Sequence, residues 1–131
     1  MKKYPFLYTS LVLVILLYVL HFIAGVFYLY WTIWWLDNVT HFLGGLSLGF
    51  LSLYIFYESN IFQGKISFSK AVFISLVFVI ILGGVWEVFE YVNGLTLSME
   101  KYSLDVVHNL LSDALGAILA ALIAKRILKF S

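Results

Sequence analysis

Cysteine is absent from the sequence, and charged residues are scarce. Without cysteine the chain forms no disulfide and no thiolate metal site, so a metal ion would need oxygen and imidazole ligands. Asp, Glu, Lys and Arg make up 11% of the residues, against about 25% in soluble domains, and 63% are hydrophobic. This composition excludes an ordinary soluble domain and indicates a polytopic membrane protein. The net charge of +1 gives no sign of nucleic-acid binding.

Long apolar runs set the number of membrane spans, since one crossing needs about 20 apolar residues. Four such runs are expected to be helices, at about 5–27, 37–57, 70–93 and 104–127. We therefore expect an all-α membrane protein whose four transmembrane helices form a compact bundle, with residues 1–131 as a single transmembrane domain. The second run contains Gly45 and Gly49 at GxxxG spacing, which lets membrane helices approach closely.

Positive charges are distributed unequally between the two sides of these spans. One side carries seven of the eight basic residues: Lys2, Lys3, Lys65, Lys70, Lys125, Arg126 and Lys129. The other side carries only Lys101. The positive-inside rule then places both termini in the cytoplasm, and we expect a multi-pass protein of the cell membrane, plasma or inner.

Most of the acidic residues and all the histidines fall in the outer half of the expected bundle. Five of the seven carboxylates and all three histidines lie there: His21, Asp37, His41, Glu87, Glu90, Asp105, His108 and Asp113. On the last helix, Asp105, His108, Asn109, Ser112 and Asp113 form a polar stripe at helical spacing. These residues lie near the ends of the four helices that face the outer side of the membrane, so we expect their side chains to meet at one depth.

This acidic group lacks basic counter-charges, and a charge at the bilayer centre costs about 2.5–3.5 kcal/mol on insertion scales. Protonated carboxylates, a bound divalent cation or an open water-filled vestibule would each resolve the imbalance. Asp37-x-x-x-His41 and Asp105-x-x-His108 each join a carboxylate to an imidazole, which loosely follows the metal-binding pattern of helical bundles.

The metal interpretation names a set of candidate ligands for Zn, Mn, Mg or Fe: Asp37, His41, Glu87, Asp105, His108 and Asp113. In an enzymatic version Glu90 would serve as a base, and Asp113, at the floor of the group, would also be catalytic. Two alternatives remain open, a metal-free polar network that fixes helix register and a pathway for protons or ions. His21 is expected to be structural, bonding to the backbone or to a tyrosine.

Three segments resemble known families of small bacterial membrane proteins. The segments LDNVTHFLGG, WEVFEY and SLDVVHNLLSDALGAILA follow the order of motifs in the YjdF-like family, and the first and last are also similar to VanZ-like proteins. Asp37 and His41 match both families, and the YjdF-like pattern also includes Glu87, Glu90 and Asp113. The VanZ-like pattern matches Asp105 and Asn109 and has Gln where Glu90 stands. The resemblance implies a multi-spanning membrane protein and brings no defined activity.

The leading functional hypothesis is an acidic and histidine-containing site in the outer leaflet that binds a divalent cation. Its partners would be the lipid bilayer and a lipid or cell-envelope substrate, without nucleic acid, and an oligomer is compatible with the sequence. The alternatives are a small ion or proton-coupled transporter subunit and a non-catalytic structural partner in a membrane complex. Whether the protein is an enzyme stays open, since G-x-S-x-G and HExxH motifs are missing.

Overall fold

Helices account for every regular element that the computed structural model describes, which covers residues 3–59, 67–95 and 101–127. In chain order these are α1 (Pro5–Val26), α2 (Leu29–Thr32), α3 (Leu36–Leu53) with a π-helical turn (Tyr54–Glu58), α4 (Phe68–Val92) and α5 (Tyr102–Ile127). Four segments are long and apolar enough to cross a membrane: Pro5–Val26, Leu36–Glu58, Phe68–Val92 and Tyr102–Ile127. The expectation of an all-α protein with four spans is confirmed.

The helix ends are set by local chemistry. Pro5 occupies the first turn of α1, where its missing N–H costs nothing. The Glu58 carboxylate accepts hydrogen bonds from the backbone N–H of Phe6, 3.1 Å from either oxygen, and of Leu7 at 3.4 Å. Ser67 caps α4, and after the end of α4 Gly94 adopts a left-handed φ of 65°. The chain therefore turns sharply where α4 must stop.

Helix α3 lies at the centre of the bundle and packs on α1, α4 and α5. Its closest neighbour is α5, because a Cβ added at Gly45 or Gly116 would overlap the backbone of the facing helix. At Gly49 an added Cβ would lie 2.8 Å from the Cβ of Ala120. The close approach predicted from the GxxxG spacing is thus present, and α5 is the partner.

The two ends of the bundle differ in chemistry. A cluster of apolar side chains fills one end: Phe6, Leu46, Phe50, Leu53, Ala71, Ala120 and Ala124. The buried ionisable side chains lie toward the other end, where α1 and α4 finish and α3 and α5 begin: His41, Glu87, Asp105 and Asp113. Among the described residues the backbones of α1 and α4 do not come within 8 Å of each other, so a gap separates these two helices.

Candidate functional site

His41 lies at the centre of a buried polar group to which α3, α4 and α5 contribute. Its Nε2 atom is 3.8 Å from Asp37 Oδ1 and 3.6 Å from Glu87 Oε1. Its Nδ1 atom is 3.3 Å from Asp113 Oδ1. In the part of the chain that the structure describes, the recorded ion pairs of these three carboxylates all have His41 as the basic partner. One imidazole therefore joins carboxylates from three helices.

Asn109 connects the carboxylates of α4 and α5. Its Nδ2 atom donates to Glu87 Oε1 at 2.9 Å and to Asp105 Oδ2 at 3.3 Å, and the residue is fully buried. The sequence places Asn109 in the polar stripe of the last helix and assigns it no contact. Asn109 is four residues from both Asp105 and Asp113, so the three side chains lie on one face of α5. This spacing predicts that Asn109 contacts the neighbouring carboxylates.

Two buried carboxylate oxygens stand out at this site. Glu87 is 2% exposed and Asp113 is 5% exposed, and neither Glu87 Oε2 nor Asp113 Oδ2 has a hydrogen-bond partner among the described residues. A buried polar atom without a partner is costly, and a buried charge without one is more so. A cation, a proton or a water molecule beside these oxygens would stabilise them.

The spacing of the donor atoms suits a metal ion. His41, Glu87 and Glu90 each offer one ligand atom, and the three atoms lie within 4.8 Å of one another. With bonds of about 2.0–2.2 Å, one metal ion separates its ligand atoms by roughly 3–4 Å. The distances from His41 Nε2 to Glu87 Oε1 and Asp37 Oδ1 fall in that interval.

The polar group borders a cavity of about 470 Å³ between α1, α3 and α4. Apolar side chains line most of its wall: Val14, Leu17, Leu48, Leu82 and Trp86. Polar side chains also border it: His21, Tyr30, Asp37, Thr40, His41, Ser47, Glu90 and Asp113. Because α1 and α4 do not approach each other, we infer that the cavity opens sideways between them, toward the bilayer.

His21 and Tyr30 lie together at the border of this cavity. His21 Nδ1 is 2.7 Å from the Tyr30 hydroxyl, which is the tyrosine contact that the sequence analysis considered for His21. Burial raises the pKa of Tyr30, and the neighbouring carboxylates of Asp37 and Glu90 raise it further. The hydroxyl therefore keeps its proton at neutral pH and shares a hydrogen bond with the ring nitrogen. This pair ties the short helix α2 to the end of α1.

The other candidate ligands lie at different positions. Asp105 is buried and reaches the group through Asn109. His108 is exposed and lines a second cavity of about 340 Å³ with Trp34 and Asn38. Residues advance by about 100° around an α-helix, so His108 is turned roughly 60° from Asp105, away from Asn109 and Asp113. The structure brings Asp37, His41, Glu87 and Asp113 together and places His108 elsewhere.

Fold and site together define a four-span membrane protein with a buried carboxylate and histidine cluster beside a lateral cavity. Residues 1–130 match the model of a family described as "Predicted membrane protein (DUF2238)". The chain belongs to this family. Comparisons with curated proteins and with solved structures gave no match. The likeness to YjdF-like and VanZ-like motifs stays a resemblance, because the family match does not establish either name.

Proposed function

We propose that this protein binds one divalent metal cation through His41 Nε2, Glu87 and Glu90, with Asp37 beside them. The carrying observation is that one imidazole and several carboxylates converge at ligand spacing, while Glu87 Oε2 is buried without a hydrogen-bond partner among the described residues. Three carboxylates and one neutral imidazole would give the cation oxygen and nitrogen ligands, which suit Zn, Mn, Mg or Fe.

Electrostatics supports a cation more than a metal-free network. Asp37, Glu87, Glu90 and Asp113 contribute up to four negative charges, and His41 alone supplies at most one positive charge. Unbalanced charge is most costly inside a membrane protein, where ionisable residues generally pair or serve a function. A divalent ion would balance two of the carboxylates and would give the buried oxygen of Glu87 a partner.

Asp113 has a different role in this proposal from that of a ligand. It contacts Nδ1 of His41, whereas Asp37 and Glu87 lie toward Nε2. In metal sites a histidine often donates its second N–H to a carboxylate, which fixes the tautomer and ring orientation. Asp113 would thus orient His41 and make Nε2 a better metal ligand. The proposal leaves His108 out of the ligand set, because its side chain is exposed and lines the second cavity.

A cation at this position would border the lateral cavity, which Glu90 and His41 line. There it would polarise an oxygen atom of a substrate or activate a water molecule. In this arrangement Glu90 is a metal ligand, so the role of base that the sequence suggested for it is not part of the proposal. The substrate would be a lipid or cell-envelope molecule that reaches the site from the outer leaflet.

Equilibrium dialysis of the detergent-purified protein against Zn²⁺, Mn²⁺ and Mg²⁺ tests the cation. We expect one ion per chain in the wild type, none in His41→Ala, and weakened binding in Glu87→Gln. The matched control is His108→Ala, which removes a histidine outside the cluster and should bind as the wild type does. Equal binding by all variants, or no bound ion in a folded wild-type protein, would show that the proposal is wrong.

A further inference from the structure

We propose that the lateral cavity binds an amphiphile with a single hydrocarbon chain and a positively charged amine head. This inference deepens the proposed function by naming a ligand class for the same site. It rests on the proposed cation in one respect: the bound ion determines how much negative charge remains at the cavity border. The shape of the cavity and its acidic residues carry the rest.

The shape fits one chain that enters from the bilayer. The cavity is open between α1 and α4, whose backbones stay apart, and apolar side chains of α1, α3 and α4 line it. Its volume of about 470 Å³ is within the range of about 300–1,000 Å³ that small-molecule sites occupy. A cavity of this volume suits a single hydrocarbon chain.

Charge selects the head group. The cavity is bordered by the carboxylates of Asp37, Glu90 and Asp113, and no lysine or arginine lines it among the described residues. Asp113 Oδ2 is buried and has no hydrogen-bond partner in that part of the chain. A divalent ion neutralises two of the four carboxylates of the site, so the border remains acidic. An anionic head would be repelled, and an ammonium group would be attracted and could bond to Asp113.

Three ligands of equal chain length separate the contribution of the head-group charge from that of the hydrocarbon chain: tetradecylamine, tetradecanol and tetradecanoate. Each is offered to the full-length protein in lipid nanodiscs, and native mass spectrometry counts the molecules retained per chain. We expect the amine to bind at least about tenfold more tightly than the fatty acid, with the alcohol between them. Butylamine, which lacks the chain, should not be retained. Equal retention of amine and fatty acid would overturn the inference.

Two variants test the location of the ligand. Gly44 lines the cavity, and a Cβ added there meets only Leu17 at 3.7 Å, so Gly44→Leu should fill the cavity and abolish retention of the amine. Gly25→Leu is the matched control, because nothing lies within 4 Å of its added Cβ and it is outside the cavity lining. Asp37→Asn keeps the cavity open and should reduce the preference for amine over alcohol. Unchanged retention in Gly44→Leu would contradict the proposal.

Metal content measured on the same samples separates the two proposals. Amine preference in a protein that binds no divalent ion would support the amphiphile site and overturn the cation proposal. A bound divalent ion without amine preference would overturn the amphiphile site and leave the cation proposal standing.

Discussion

At the scale of single residues, the structure distinguishes the two nitrogens of His41. Nε2 faces Asp37 and Glu87, and Nδ1 faces Asp113. Helical spacing predicted that these residues would meet. It could not assign each carboxylate to a nitrogen, because that depends on how the helices are rotated about their axes and on side-chain rotamers. The Asp-x-x-His spacing predicted His108 beside the group, whereas its side chain is exposed and lines the second cavity.

The orienting role of Asp113 predicts a partial loss of metal affinity in Asp113→Asn. An amide is a weaker acceptor than a carboxylate for the Nδ1–H of His41, and loss of such a partner typically weakens binding by about 10–100-fold. Titration of the variant should show that decrease with one ion per chain still bound at saturation. Unchanged affinity, or complete loss as in His41→Ala, would argue against an orienting role.

Asn109 should matter for stability even without a metal ion. Asn109→Leu keeps the number and branching of the side-chain heavy atoms and removes the donor to Glu87 Oε1 and Asp105 Oδ2. Each buried acceptor left without its donor costs about 1–3 kcal/mol, so the melting temperature in detergent should fall clearly. Val107→Leu, at an exposed position two residues away, is the control and should melt close to the wild type. Equal melting of both variants would contradict the structural role of Asn109.

At the scale of the helices, the interface between α3 and α5 holds the site in place. Gly45 lies against the backbone of Asp113, and Gly116 lies against Phe42 and Leu46. Small residues thus bring the His41 and Asp113 helices close enough for their side chains to meet. The sequence showed the small-residue spacing in α3. It did not show which helix would fill the groove, since several helices carry small residues.

Gly45→Ala should therefore destabilise the protein strongly. The added methyl group would overlap Asp113 backbone atoms, and overpacking of a well-packed interface typically costs about 1–3 kcal/mol or more. Gly84→Ala is the matched control, because nothing lies within 4 Å of its added Cβ. Thermal unfolding in detergent should show a lower melting temperature only for Gly45→Ala. Similar melting of both variants would mean that α3 and α5 are less closely packed than described.

At the scale of the whole molecule, composition was sufficient to predict four membrane-spanning helices. It did not predict the short helix α2, the π-helical turn Tyr54–Glu58 or the gap between α1 and α4. Each of these depends on contacts between distant segments. The π-helical turn, for example, ends at Glu58, whose carboxylate caps the N-terminus of α1. Such a contact cannot be predicted from hydrophobic periodicity.

The orientation in the membrane remains a prediction from the charge distribution. Seven of the eight basic residues lie on one side of the four spans, so that side should be cytoplasmic. A C-terminal reporter that is active only in the cytoplasm should give signal, and one that is active only after export should not. The reverse pattern would place the carboxylate and histidine cluster on the inner side instead.

The cation bound through His41 is the central claim, and pulsed electron paramagnetic resonance of the Mn²⁺-loaded protein tests it most directly. Nitrogen modulation reports an imidazole bonded to the ion. We predict modulation from one directly bound histidine nitrogen in the wild type and in His108→Ala, and none in His41→Ala. A nitrogen signal that persists in His41→Ala, or Mn²⁺ bound to the wild type without nitrogen modulation, would contradict the account.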